Sequence, residues 1–146
     1  MPSGLVVKVK KLHPDATIPH RARPGDAAFD LYSVDDYLLG PESRESIHTG
    51  IAIQIPEGYE GQVRPRSGLA MKQGITVVNS PGTIDSGYRG ELVVILHNLA
   101  KDGFFIKKGM RIAQLAIRPV PEVEFEEVPE LDDSERGSGG FGSTGV

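Results

Sequence analysis

The chain contains no cysteine. A disulfide framework, a thiolate nucleophile, a thiolate zinc site and an iron–sulfur cluster held by the chain's own cysteines are therefore all excluded. Histidine is scarce and scattered: His13, His20, His48 and His97 form no short-range pair with zinc-ligand spacing, so a protein-built zinc centre is not expected. His97, inside an apolar run, reads as a satisfied sheet residue. No segment approaches the roughly 18 continuous apolar residues of a membrane-spanning helix. Met1 to Lys11 also lacks the apolar core and cleavage site of a secretory signal. A soluble, cytoplasmic protein without membrane contact is the resulting expectation. Room is short as well, because 146 residues bury one modest core and leave no space for a second catalytic domain.

What the chain does have is turn chemistry. Its 18 glycines and 11 prolines fall between short β-branched runs with no collagen-like period, the pattern of strands joined by tight turns. Leu5, Val7 and Val9 alternate with Val6, Lys8 and Lys10 and predict an opening strand. Further strands are expected at Ala27 to Tyr32, near Tyr37 to Leu39, and at Ile47 to Ile55, where Ile51, Ile53 and Ile55 share one face before Pro56 and Gly58 end the run. Glu60 to Pro65 follows, then a short helix over Ser67 to Gly74 that glycine stops. Ile75 to Asn79 and Gly90 to His97 flank a Pro81-Gly82 turn as a strand pair, and Phe104 to Ile106 and Met110 to Arg118 complete the set. This is an all-β pattern, closed or sandwiched.

The formal charge of -4 is unevenly spread. From Pro121 to Val146 eight acids face Arg136 alone, a local charge of -7 that leaves the body at +3. Such a body could hold a small polyanion, while the acidic tail argues against extended wrapping by nucleic acid, so no stable nucleic-acid binding is expected. Arg136 to Val146 contains five glycines and no strand pattern. The chain accordingly divides into a β domain, 1–128, and an acidic linker with a glycine-rich arm, 129–146. That arm should be mobile unless bound.

Four polar clusters carry candidate chemistry, each with two readings. Asp30, between Phe29 and Leu31, is either an outward strand residue or a carboxylate near a divalent cation. Arg64-Pro65-Arg66-Ser67-Gly68 is either a capped, solvated turn or a convergence of guanidinium, hydroxyl and backbone donors on phosphate oxygens. Within Thr83 to Gly90, Asp85 either stabilises a turn or orients water, and Tyr88 is either a partly buried core residue or a ring for a planar or sugar surface. Asn79 is open in the same way. Gln114 interrupts an apolar strand, where it satisfies a neighbouring backbone, closes a ligand pocket, or both. In the tail, Arg136 and Phe141 add anion and aromatic contacts to a permissive backbone, which reads as a disordered end or as a cover over phosphate and base.

Taken together, Ala28-Phe29-Asp30-Leu31, Pro65-Arg66-Ser67-Gly68-Leu69, Gly82 through Gly90, Gly109-Met110-Arg111-Ile112-Ala113-Gln114 and Arg136 through Ser143 resemble, in order, the five motifs of the homotrimeric deoxyuridine triphosphatases. The resemblance covers nearly the whole chain. It implies a distorted jelly-roll β fold of the β-clip type, a homotrimer with active sites between subunits, and a flexible C-terminal arm closing over them. It implies hydrolysis of dUTP to dUMP and diphosphate by water attack on the α-phosphorus, with Mg2+ held largely by triphosphate and water. That reaction would limit uracil incorporation into DNA and supply dUMP for thymidylate synthesis.

Residue by residue, the resemblance makes Asp85 the catalytic carboxylate that orients water and Tyr88 the ring beneath the deoxyribose. Asn79 with Gly82, Thr83 and Ile84 becomes the uracil-reading segment, Arg66, Ser67 and Gly68 the phosphate contacts, and Gln114 a neighbouring polar anchor. Asp30 is implied to face the metal through water, not directly. Arg136 is implied to bind phosphate, Phe141 to cover uracil, and Ser138, Gly139, Gly142, Ser143 and Thr144 to contact the γ-phosphate. Two other readings are a dCTP deaminase-like nucleotide enzyme, whose family generally has a longer chain, and a noncatalytic deoxynucleotide sensor. The Asp85-to-Tyr88 segment and the complete aromatic arm favour dUTP hydrolysis.

Overall fold

A computed structural model describes residues 4–145; Met1 to Ser3 and Val146, the outer ends of the two expected units, lie outside the described residues. Among the described residues there are ten strands and one short helix: β1 (Lys8–Lys11), β2 (Phe29–Tyr32), β3 (Tyr37–Leu39), β4 (Arg44–Gln54), β5 (Tyr59–Arg64), α1 (Ser67–Gln73), β6 (Ile75–Val77), β7 (Gly82–Ile84), β8 (Glu91–Asn98), β9 (Phe104–Ile106) and β10 (Arg111–Pro119). Among the described residues no helix is long and apolar enough to cross a membrane.

The strands form two four-stranded antiparallel sheets, in the orders β1-β4-β8-β6 and β2-β10-β5-β7, with β3 and β9 as a separate pair. Their facing sides supply the core. Ile47, Ile51, Ile53, Leu92, Val94 and Leu96 come from the first sheet and Leu31, Val63, Ile112 and Leu115 from the second, all at most 5% exposed. Non-consecutive neighbours within each sheet give the crossing connections of a jelly roll, and the fold is all-β in the jelly-roll manner.

Local chemistry explains the main departures from straight strands. The long strand β4 carries a bulge between His48 and Ala52 where it pairs with β8. Gly50 sits in that bulge at φ 70°, and an added Cβ would meet Val34 Cγ1 at 2.7 Å and His13 Cβ at 3.0 Å, so both the dihedral and the packing require glycine there. Helix α1 ends as expected at Gly74, whose φ of 67° lets its amide return to Ala70 and Leu69. The start of α1 differs from expectation: Arg66 is the capping residue and no side chain caps the helix. Ser67 is the first helical residue, which leaves its hydroxyl exposed and uncommitted to the helix.

Two other sequence expectations need revision. The opening strand begins at Lys8, and Leu5 and Val6 are 50% and 61% exposed. Between β6 and β8 the chain does more than turn. β6 and β8 pair as expected, yet Gly82–Ile84 forms β7, which leaves for the other sheet and pairs with β5. The Ser80-Pro81 peptide that precedes it is cis.

Candidate active site

Strand β10 runs between β2 and β5, and Gln114 is in register with Asp30 on one side and Arg64 on the other. Directly paired residues project to the same face of a sheet. These three side chains consequently stand in a row across it, and they line one cavity with Ala22, Asp26, Ala27 and Ala28, about 260 Å³ in volume. Asp30 is not the outward residue that alternation allowed: it is 6% exposed. Its carboxylate lies between two guanidiniums, with Arg66 Nε 3.6 Å from Oδ1 and Arg111 Nη1 3.7 Å from Oδ2.

A buried carboxylate is tolerated only when its charge is compensated, and two arginines around one aspartate leave a surplus positive charge. Arg66 Nε is buried without a hydrogen-bond partner among the described residues, so its donor is not consumed by Asp30. Tyr32, two residues along β2, senses the same cluster. Burial, and secondarily Asp30, pushes its phenol above the usual range, with Arg111 and Arg66 pulling the other way. The compensating role of Arg111 follows from the pairing of β10 with β2 and has no local sequence signal.

Asp85 and Tyr88 line a second, separate cavity of about 240 Å³ with Thr83, Ile84, Glu91 and Val93. β7 ends at Ile84, which places Asp85 at the mouth of the turn. The turn is closed by the backbone, Tyr88 N–H donating to Asp85 O at 3.1 Å. Among the described residues the Asp85 carboxylate has no hydrogen-bond partner, so it is an exposed acceptor and not the staple of its turn. Tyr88 is 45% exposed, which separates it from the core. Its hydroxyl donates to Glu91 O at 2.9 Å. Nearby, Asn79 is exposed, and the buried Gly82 leaves room for its amide: a Cβ there would lie 3.3 Å from Asn79 Nδ2.

The C-terminal arm stands apart from both cavities. Residues 120–145 contain no strand, and Phe141 is fully exposed at φ 51°. The arm's hydrogen bonds run within it. Arg136 Nε donates to Gly139 O at 2.6 Å, Ser143 N to Gly140 O at 3.1 Å and Gly145 N to Gly142 O at 3.0 Å. The sequence-predicted residues thus gather into three groups: Asp30 with Arg66 and Gln114; Thr83 and Ile84 with Asp85 and Tyr88; and the arm from Arg136 to Thr144. No hydrogen bond or ion pair joins these groups within the described residues of one chain.

No three histidine, aspartate or glutamate side chains gather as ligands among the described residues. With Arg66 and Arg111 on its one carboxylate, Asp30 makes no protein cage for a cation; the surplus positive charge suits phosphate oxygens, and a divalent ion at this cluster would have to bring phosphate and water as its ligands. Such coordination is ordinary for magnesium.

The chain is similar to known proteins over nearly its whole length. The family model described as dUTPase matches residues 14–145. A deoxyuridine 5'-triphosphate nucleotidohydrolase from Clostridium kluyveri is 58% identical over 138 residues, covering 94% of this chain and 96% of that protein. A solved dUTPase variant of Staphylococcus bacteriophage 80alpha, holding dUpNHpp, superposes with a TM-score of 0.91 at 32% identity, covering 97% of this chain and 99% of that one. A dUTPase variant from phage phi11 of S. aureus, described with a structural Mg(II) ion, gives 0.81 at 28% identity over 88% of this chain and 99% of that one.

Proposed function

Because the chain belongs to the dUTPase family, we infer that it hydrolyses dUTP to dUMP and diphosphate. The observation that carries the mechanism is the cavity in which an exposed, unpaired carboxylate, Asp85, stands beside an exposed ring, Tyr88. The carboxylate accepts a hydrogen bond from water and holds the proton that water releases as its oxygen bonds to the α-phosphorus. The bond from that phosphorus to the bridging oxygen breaks, and diphosphate leaves. Tyr88 supplies a surface for the deoxyribose, and Asn79 with Gly82, Thr83 and Ile84 reads uracil through backbone and amide groups.

Arg66, with a buried donor that Asp30 does not consume, and Ser67, with a free hydroxyl, support the phosphate-binding role of the segment Arg66 to Gly68; Gln114 anchors it from the adjoining strand. Asp30 would hold Mg2+ through water, and the bound ion would supply positive charge against the triphosphate. Arg136 and Phe141, with Ser138, Gly139, Gly142, Ser143 and Thr144, form the cover that excludes water and aligns phosphates. A cytoplasmic location belongs to the same reading.

The separation of the candidate residues into three groups supports a homotrimer whose sites lie between subunits. So do two different exposed apolar surfaces on the chain, since a three-fold ring joins unlike surfaces. Leu5, Val7, Ile18, Phe29 and Ile117 help line an open apolar groove, while Val123, Phe125 and Leu131 of the tail are 64%, 99% and 85% exposed.

Asp85→Asn keeps the shape of the side chain and removes its basicity. Steady-state hydrolysis should show kcat lowered by roughly 10²- to 10⁴-fold, with binding of a nonhydrolysable dUTP analogue retained. Near wild-type turnover in the folded variant would remove Asp85 from the mechanism.

A further inference from the structure

Gly90 is a glycine that its backbone does not require. It lies outside the left-handed region, so its dihedrals would accept any side chain. Space is what a side chain there would contest: a Cβ at this position would meet Tyr88 itself, Cζ at 2.7 Å, Cε1 at 3.0 Å, and the phenolic oxygen closer still, so the ring would have to move. The three nearest atoms all belong to that one ring. The next residue, Glu91, receives the ring's hydroxyl on its carbonyl oxygen at 2.9 Å. Glu91 is itself tied to the β4 bulge by both carboxylate oxygens, Oε2 accepting from Gly50 N at 2.9 Å and Oε1 lying 2.9 Å from His48 Nδ1. The ring therefore rests on a bare stretch of backbone that is anchored to the neighbouring strand.

We propose that Gly90 is a specificity-determining residue: its missing side chain is the seat of Tyr88, and it fixes how far that ring stands into the cavity it shares with Asp85. The inference rests on the reading of Tyr88 as the deoxyribose surface. With the ring seated, room beside the sugar is set by its height above the Gly90 backbone. A methyl group on Gly90 lifts or tilts the ring, which changes the fit of every sugar while leaving Asp85 and its turn unaltered.

The test is a double-mutant cycle with kcat and KM measured for dUTP and for UTP. Gly90→Ala should lower kcat/KM for dUTP about tenfold, mostly through KM, and reduce the preference for dUTP over UTP. Added to Tyr88→Ala, where no ring remains to be displaced, the same change should alter neither quantity by more than about twofold. Wild-type KM and preference in Gly90→Ala would overturn the proposal, as would an equal effect of the alanine with and without the ring. If Gly90→Ala fails to fold, the Tyr88→Ala/Gly90→Ala protein should fold, since the obstructing ring is gone; failure of both would overturn it. The parent reading is tested separately by Tyr88→Ala alone. Unchanged preference there would dismiss the sugar role of Tyr88, whereas the seat stands or falls on the cycle in KM.

Discussion

At the scale of single residues, the most tightly committed polar side chain is Asn98, which is fully buried. Its Nδ2 donates to the carbonyls of Leu39, Gly40 and Asp102 at 3.2, 3.2 and 2.9 Å, and its Oδ1 accepts from Ala100 N at 3.0 Å. One amide thereby joins the end of β3, the turn after β8 and the approach to β9. Asn98→Ala leaves those backbone groups without partners in the interior, at about 1 to 3 kcal/mol for each group that water cannot reach. Chemical denaturation should show a loss of about 3 to 5 kcal/mol, and a loss under 1 kcal/mol would mean that water replaces the amide. Nothing in the local sequence singles out Asn98. Asp30 was half legible: its motif pointed to chemistry, but its burial depends on Arg66 and Arg111, distant in sequence and brought close by strand pairing. Asp85 and Tyr88 were legible as a pair because turn residues surround them, and their exposure agrees with a role in binding.

At the scale of elements, period-two alternation identified the strands that face a core, above all Ile51, Ile53 and Ile55 at the end of β4. It missed β7, because Gly82-Thr83-Ile84 is too short to show a period and follows proline, so its strand character comes entirely from pairing with β5. Glycine at Gly74 marked the end of α1 through its left-handed conformation, while the start lacked any side-chain cap to read. The arm holds no strand among the described residues. It contributes no residue to the core, so its removal costs the body no packing. Deleting Arg136 to Val146 should leave the unfolding midpoint and the oligomeric state in solution unchanged, while kcat/KM for dUTP falls by roughly 100-fold or more. A truncated protein with full activity would rule out the arm as cover; one that dissociates would make it an assembly element instead.

At the scale of the molecule, the local alternation of the sequence carried the all-β class, and the order of its motifs carried the family, but neither carried the sheet order. β4 lies beside both β1 and β8, and β10 beside both β2 and β5, pairings between segments far apart in the chain. They place the positive cluster around Asp30 and the Asp85–Tyr88 cavity in different parts of the chain. The charge division is compatible with the proposed function, a +3 body suiting a triphosphate and the -7 charge lying in the tail. The central claim, that this protein cleaves dUTP between its α- and β-phosphates, is tested most directly by product identification. Purified protein is incubated with magnesium and dUTP, dCTP or dTTP separately, and base and phosphate products are resolved. The account predicts dUMP and diphosphate from dUTP, with dCTP and dTTP left unchanged. A deaminated product from dCTP, or dUTP recovered intact, would contradict it.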